Sequence, residues 1–183
     1  MIPAPVERSV VIATPPPVST FPMPTAAELS QLIDAVGRRF PALLDTQGPA
    51  FEGTRHERRE QYRKQFEGAF LAIGHMKRLE RPDTKLYVSA HVQLAESILR
   101  SLGRPMTIRG DPFLAACLAH FDVPISGIGR THEGIVVEIG LNQYTGRPAT
   151  DQWRRILEGQ APREVAVSRP PAPPNPARVH VTY

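Results

Sequence analysis

Arginine side chains are concentrated between residues 54 and 81, where the sequence reads TRHERREQYRKQFEGAFLAIGHMKRLER. This segment holds eight Arg or Lys against four Glu, and its net charge of +4 equals that of the whole chain, so the rest of the chain is neutral. Guanidinium groups suit phosphate oxygens, and clustered cations bind a nucleic-acid backbone without reading its bases. We therefore expect binding to DNA or RNA phosphates by five residues: Arg55, Arg58, Arg59, Arg63 and Lys64.

The same segment also fits a second interpretation, a charged helix face that only meets solvent. Glu60 precedes Arg63 by three residues and Lys64 by four, which is the spacing of ion pairs along a helix. Tyr62 and Phe66 stand between the basic residues, but their helical spacing indicates core packing. The sequence leaves both interpretations open.

The sequence contains cysteine and histidine residues that could bind zinc, but their spacing along the chain does not support a metal site. Cys117 and His120 share one face of a predicted helix, and His91 lies on the neighbouring one. Structural zinc needs four ligands, and the sequence has no second closely spaced pair. We therefore expect no metal and no cofactor, with Cys117 a buried thiol and His120 a core histidine.

One cluster resembles an active site. His132 and Glu133 lie in a glycine-rich stretch, with Ser126, Arg130 and Glu138 nearby. The sequence contains no nucleophile elbow, phosphate-binding loop or dinucleotide fingerprint, and Gly127-x-Gly129 precedes a strand instead of following one. We expect a protein without enzymatic activity, and an enzyme acting through residues 126–138 is the less favoured alternative.

Proline-rich segments flank the predicted domain. Of the twenty prolines, nine lie in residues 1–49 and six in 162–176. The last residues read RVHVTY, in which three apolar side chains alternate with polar ones as in a half-buried strand. These residues, Val179, Val181 and Tyr183, are predicted to dock either back on the chain's own domain or onto another chain, which is a partner or a second copy. A protein–protein adaptor or assembly component is therefore our second functional hypothesis.

Helical patterns dominate the middle of the chain. Thr25-x-x-Glu28 and Thr54-x-x-Glu57 are capping boxes that open two helices. Hydrophobic spacing and proline or glycine breaks predict five helices. They cover about 25–40, 54–79, 84–102, 112–121 and 151–158. The β-branched run Ile135–Leu141 predicts a strand in a small hairpin or short sheet near 125–141.

These elements predict a mainly α protein with one domain over residues 25–159. Residues 1–24 form a disordered N-terminal tail, and residues 160–183 form a C-terminal tail ending in the strand-like segment. The order of helix, extended Pro105–Ile108, helix and hairpin resembles a winged helix in outline. A winged helix that reads DNA needs an exposed recognition helix, whereas residues 113–121 carry one polar side chain, His120.

Cysteine usage and hydropathy bear on the cellular compartment. The single cysteine cannot form an internal disulfide, so the sequence gives no support for an oxidising compartment. The N-terminus lacks both a basic start and a long apolar run, and the longest apolar stretch, around Phe113–Phe121, is too short to cross a bilayer. We expect a soluble, cytoplasmic protein with no membrane partner.

Overall fold

The computed structural model describes residues 21–44, 51–82, 85–131, 134–162 and 166–168, with the backbone alone described at 85–87, 126–131, 134–137 and 166–168. The protein is mainly helical, as predicted, with five α-helices in the described residues. They are α1 (Ala26–Arg39), α2 (Arg55–Gly74), α3 (Val88–Ser101), α4 (Gly110–Ala119) and α5 (Arg154–Leu157), and a 3₁₀ turn, Pro41–Leu44, follows α1.

Both predicted capping boxes are confirmed. At α2 the backbone N–H of Glu57 donates to Thr54 Oγ1 over 3.3 Å, and Glu57 Oε2 accepts from the Thr54 N–H over 2.7 Å. Thr25 and Glu28 repeat the arrangement at α1 with the same distances. Each box satisfies two amides that a helix start leaves without a partner, which explains why both helices begin where the sequence predicts.

Several predicted helix boundaries were wrong, including the start of α5, which lies at Arg154 instead of 151, and pairing with distant residues explains two of them. Helix α2 ends at Gly74 instead of about residue 79, because Lys77–Arg78 forms strand β1. Helix α3 begins at Val88 instead of 84, because Lys85–Tyr87 forms strand β2. Helix α4 begins at Gly110, two residues before the predicted start, and Arg109 is its N-cap.

The strands form two sheets. Strand β3 (Ile125–Thr131) pairs antiparallel with β4 (Gly134–Ile139), which confirms the predicted hairpin. Strand β2 lies on the other edge of β4, and β6 (Ala166–Ser168) pairs in parallel with β3, giving the order β2-β4-β3-β6. Strand β5 (Leu141–Asn142) pairs with β1 in a separate two-stranded sheet. The pairing of β1 with β5 brings the end of α2 beside the chain that leaves the hairpin.

Helix α4 lies at the centre of the core. Each residue of Pro112–Ala119 is buried, and α4 packs against α1, α2, α3 and the 3₁₀ turn. The predicted apolar stripe of α2 faces this core, and all five of its members are buried: Tyr62, Phe66, Ala69, Phe70 and Ile73. The parts of the winged-helix outline occur in the expected order, but α4 cannot enter a DNA groove because its side chains fill the core.

A buried polar network joins the C-terminal ends of α2 and α4. Arg78, only 2% exposed, donates to Asp122 Oδ1 over 3.2 Å and to the carbonyl oxygen of Ile73 over 2.6 Å. The other carboxylate oxygen of Asp122 accepts from the N–H and the hydroxyl of Thr150. One arginine therefore holds β1 against the core, and through Asp122 it also holds the residues that lead into α5.

Packing extends slightly beyond both predicted limits of the domain. Phe21 and Met23 pack against the core, and Phe21 contacts the rings of Phe70 and His120. At the other end β6 is hydrogen-bonded to β3. Within the described ranges, no helix combines the length and apolar character that a membrane crossing requires.

Candidate nucleic-acid interface

Three of the five predicted phosphate-binding residues form a row along α2. Arg55, Arg59 and Arg63 are spaced by four residues, so each lies about 40° round the helix from the previous one and the row is about 12 Å long. Arg55 and Arg59 are exposed, and Arg63 is half-buried. The row begins on the same side as Tyr62 and Phe66, where the first turns of α2 extend beyond the core.

The other two predicted residues lie elsewhere on the same helix. Arg58 is rotated by about 100° from Arg59, and its Nε is buried without a hydrogen-bond partner among the described residues. Lys64 is exposed and projects about 100° beyond Arg63, on the far side of α2 from Arg55. The predicted cluster is therefore divided into a row of three arginines and two separate cations.

Nearby carboxylates neutralise one end of this row. Arg63 donates to both oxygens of Glu60, over 3.0 Å from Nε and 2.8 Å from a terminal nitrogen, and Glu67 lies 4.0 Å away. The charged-face interpretation thus applies to Arg63. In contrast, no ion pair is found for Arg55, Arg59 or Lys64 among the described residues.

Positive charge at the start of α2 is unfavourable for the helix itself. The N-terminus of a helix carries a partial positive charge, and Arg55, Arg58 and Arg59 add to it. The Glu57 carboxylate compensates locally, and its hydrogen bonds to Thr54 lower its pKa, which keeps it ionised. Three cations against one carboxylate leave this end of α2 positively charged.

A groove beside α2 contains a cation, Arg104, that lies outside the basic segment 54–81 of the sequence. It has a volume of about 410 Å³, and Lys64, Arg63 and Arg104 line it around Glu67, to which Arg104 donates over 3.3 Å. Its floor is apolar, formed by Gly68, Leu99 and Met106. Arg104 lies outside segment 54–81, and only the crossing of α2 by the chain after α3 brings it there.

The same crossing brings a second basic residue to α2. The backbone N–H of Arg109 donates to Gln65 Oε1 over 3.0 Å, and its guanidinium lies 5.3 Å from the centre of the Phe51 ring. Arg104 and Arg109 flank Pro105–Ile108, which the sequence predicts only to be extended. Their isolated positions in the sequence gave no signal of this placement.

The structure describes only some of the other candidate site residues. Burial raises the pKa of the Cys117 thiol and lowers that of His120, as expected for core side chains. No group of three or more potential metal ligands occurs in the described part of the chain. His132 and Glu133 lie outside the described residues, as do Val179, Val181 and Tyr183. The enzyme and adaptor hypotheses therefore stay predictions.

Comparison of the chain with protein-family models, with curated proteins and with solved structures finds no match.

Proposed function

We propose that this protein is a non-enzymatic accessory protein that binds nucleic acid electrostatically through α2. The observation that carries the proposal is the row of Arg55, Arg59 and Arg63, of which the first two are exposed and have no ion pair among the described residues. An anionic partner lying along these residues would offset the unfavourable charge at the start of the helix.

The dimensions of the row suit a phosphate backbone. One strand of a duplex carries a phosphate about every 3.4 Å along its axis, so a row about 12 Å long spans three to four phosphates when α2 follows that strand. Arginine side chains reach such oxygens with two parallel hydrogen bonds. Lys64 and Arg104, which line the groove together with Arg63, would contact a phosphate beyond the Arg63 end of the row.

The carboxylates around the row limit the expected affinity. Glu60 and Glu67 occupy Arg63, so a phosphate must displace them or approach only its free edge. Binding is therefore expected to depend mainly on Arg55 and Arg59, to weaken steeply with salt and to show little sequence preference, because phosphate contacts carry no sequence information.

Charge reversal tests the proposal. We expect Arg55→Glu/Arg59→Glu to abolish binding to mixed-sequence duplex DNA and single-stranded RNA in fluorescence anisotropy, with helical content unchanged by circular dichroism. The matched control, Arg38→Glu/Arg100→Glu, makes the same change in net charge at exposed residues near the ends of α1 and α3. Equal binding by the two double variants would show that the loss of nucleic-acid binding comes from net charge alone and would exclude a specific role for α2.

A further inference from the structure

A second cleft lies between α3 and the residues that follow the hairpin. It has a volume of about 280 Å³ and apolar walls formed by Ala90, Leu94 and Leu141. His91, Asn142, Gln143 and Tyr144 complete its lining. The cleft shares no lining residue with the groove beside α2. It is too small for a folded partner and of the right order for one planar ring.

His91 is a buried polar side chain in the wall of this cleft. The side chain is 6% exposed, and its Nδ1 has no hydrogen-bond partner among the described residues. A buried polar atom left without a partner is unfavourable, and Nδ1 has almost no accessible surface through which a ligand could reach it. Burial also lowers the pKa of His91, so the ring is neutral near pH 7 and has one donor and one acceptor nitrogen.

Tyr144 presents an aromatic ring at the mouth of the cleft. It is 81% exposed, and it is the one exposed large hydrophobic residue among those described. Its position is fixed by a turn in which Asn142 Oδ1 accepts from the N–H groups of Tyr144, over 2.8 Å, and Thr145, over 3.1 Å. An exposed ring on a constrained backbone is a suitable surface for stacking.

Two basic residues lie beside the loop that contains Tyr144. Strand β1 pairs with β5 in a register that sets Lys77 opposite Asn142, with both side chains on the same face of the sheet. Arg147, three residues after Tyr144, is exposed, and its backbone pairs with that of Arg78. No carboxylate is among the residues that line the cleft. The cleft thus combines an aromatic surface, apolar walls and flanking cations.

We propose that this cleft receives one unpaired base of a single-stranded nucleic acid. The base would stack on Tyr144 beside the apolar walls of the cleft, while Lys77 and Arg147 would contact the adjoining phosphates. Recognition of single strands commonly combines these two contacts, because every base has a face that stacks on an aromatic ring. The inference extends the proposed function, on which its choice of partner rests, but it depends on different residues.

The test compares single-stranded and duplex probes of equal phosphate number. We expect Tyr144→Ala to weaken binding of an oligothymidylate of about ten nucleotides by roughly 5- to 150-fold and to leave duplex binding unchanged. Tyr144→Phe keeps the ring and should bind like the unchanged protein. Equal losses for both probes, or no loss for the single strand, would overturn the proposal.

A nucleoside titration separates this inference from the binding of phosphates by α2. Uridine and adenosine carry no phosphate, so shifts of the Tyr144 and His91 ring resonances on their addition would support the cleft even if Arg55→Glu/Arg59→Glu binds DNA normally. Conversely, shifts with N-acetyltyrosinamide and none with either nucleoside would overturn the proposal in favour of a peptide partner.

Discussion

A terminal nitrogen of Arg78 lies 3.0 Å from Nδ1 of His120 in the core of the protein. The guanidinium can only donate, so Nδ1 accepts and the proton of the neutral ring lies on Nε2, which donates to the carbonyl oxygen of Phe70 over 2.9 Å. The ring also stacks on Phe70 with their centres 4.0 Å apart. This pair joins the ends of α2 and α4.

Arg78→Met should destabilise the protein by about 3–5 kcal/mol, because it leaves Asp122 as a largely buried carboxylate without its cation. Urea unfolding followed by circular dichroism measures the change. Arg81→Met removes a nearby exposed arginine and should change stability by less than about 0.5 kcal/mol. Equal stability of Arg78→Met and the unchanged protein would show that the network contributes nothing.

Stability should fall as the pH drops below about 6.5, the ordinary pKa of histidine. Burial and the neighbouring Arg78 hold the pKa of His120 well below that value, so the unfolded state binds a proton that the folded state does not. The stabilisation is complete above the unfolded pKa and is lost at up to about 1.4 kcal/mol per pH unit below it. The lowered pKa values of His75 and His91 act in the same direction.

Unfolding in urea at about pH 7.5 and pH 5.5 measures this dependence. His120→Gln should reduce the difference between the free energies of unfolding at the two pH values, because the unfolded state no longer binds a proton at residue 120. The lowered pKa values of Glu28, Glu57 and Glu60 do not affect this comparison. They change stability only below pH 4.5, the ordinary pKa of a glutamate carboxyl group. A larger stability at the lower pH would contradict the assignment of His120 as a neutral ring in the folded protein.

Gly146→Ala should cost more stability than Gly103→Ala. Both glycines have positive φ, +114° and +72°, so alanine is strained at each by about 1–2 kcal/mol. A Cβ at Gly146 would also meet the carbonyl oxygen of Arg78, whereas one at Gly103 meets nothing within 4 Å. Urea unfolding of both variants compares the costs, and equal values would mean that the backbone near Arg78 moves freely.

Since Gly146 follows Tyr144 in the same loop, single-strand binding should weaken in Gly146→Ala alone.

Thr54→Ala should destabilise the protein by about 0.5–2 kcal/mol through loss of the hydrogen bond from the Glu57 N–H. Thr54→Ser keeps the hydroxyl and is the control, with stability close to that of the unchanged protein in the same urea measurement. If both variants lose the same stability, the methyl group and not the cap accounts for the effect.

The parts of the fold that could be predicted from sequence are those encoded locally. Capping boxes at Thr25 and Thr54 determine helix starts within a few residues of chain, and apolar periodicity identifies the buried face of α2. The end of α2 at Gly74 could not be read in this way, because it depends on the pairing of Lys77 with Asn142. Helix α3 begins late for the same reason, since β2 pairs with β4.

The candidate sites follow the same division. The row Arg55, Arg59 and Arg63 and its separation from Arg58 and Lys64 both follow from helical spacing once α2 exists, whereas the exposure of Arg55 and Arg59 depends on how α2 packs. Arg104 reaches Glu67 across 37 residues of chain, and the cleft joins His91 to Tyr144. No local pattern encodes such contacts, because they depend on how the helices pack and on how β1 pairs with β5.

The salt dependence of nucleic-acid affinity tests the central claim most directly. It is measured by anisotropy with a mixed-sequence duplex for the unchanged protein and for Arg55→Gln/Arg59→Gln. Each phosphate contact contributes about −0.9 to the slope of log affinity against log salt concentration, so the double variant should have a slope shallower by about two. Identical slopes, or no binding by the unchanged protein at low salt, would contradict binding through α2.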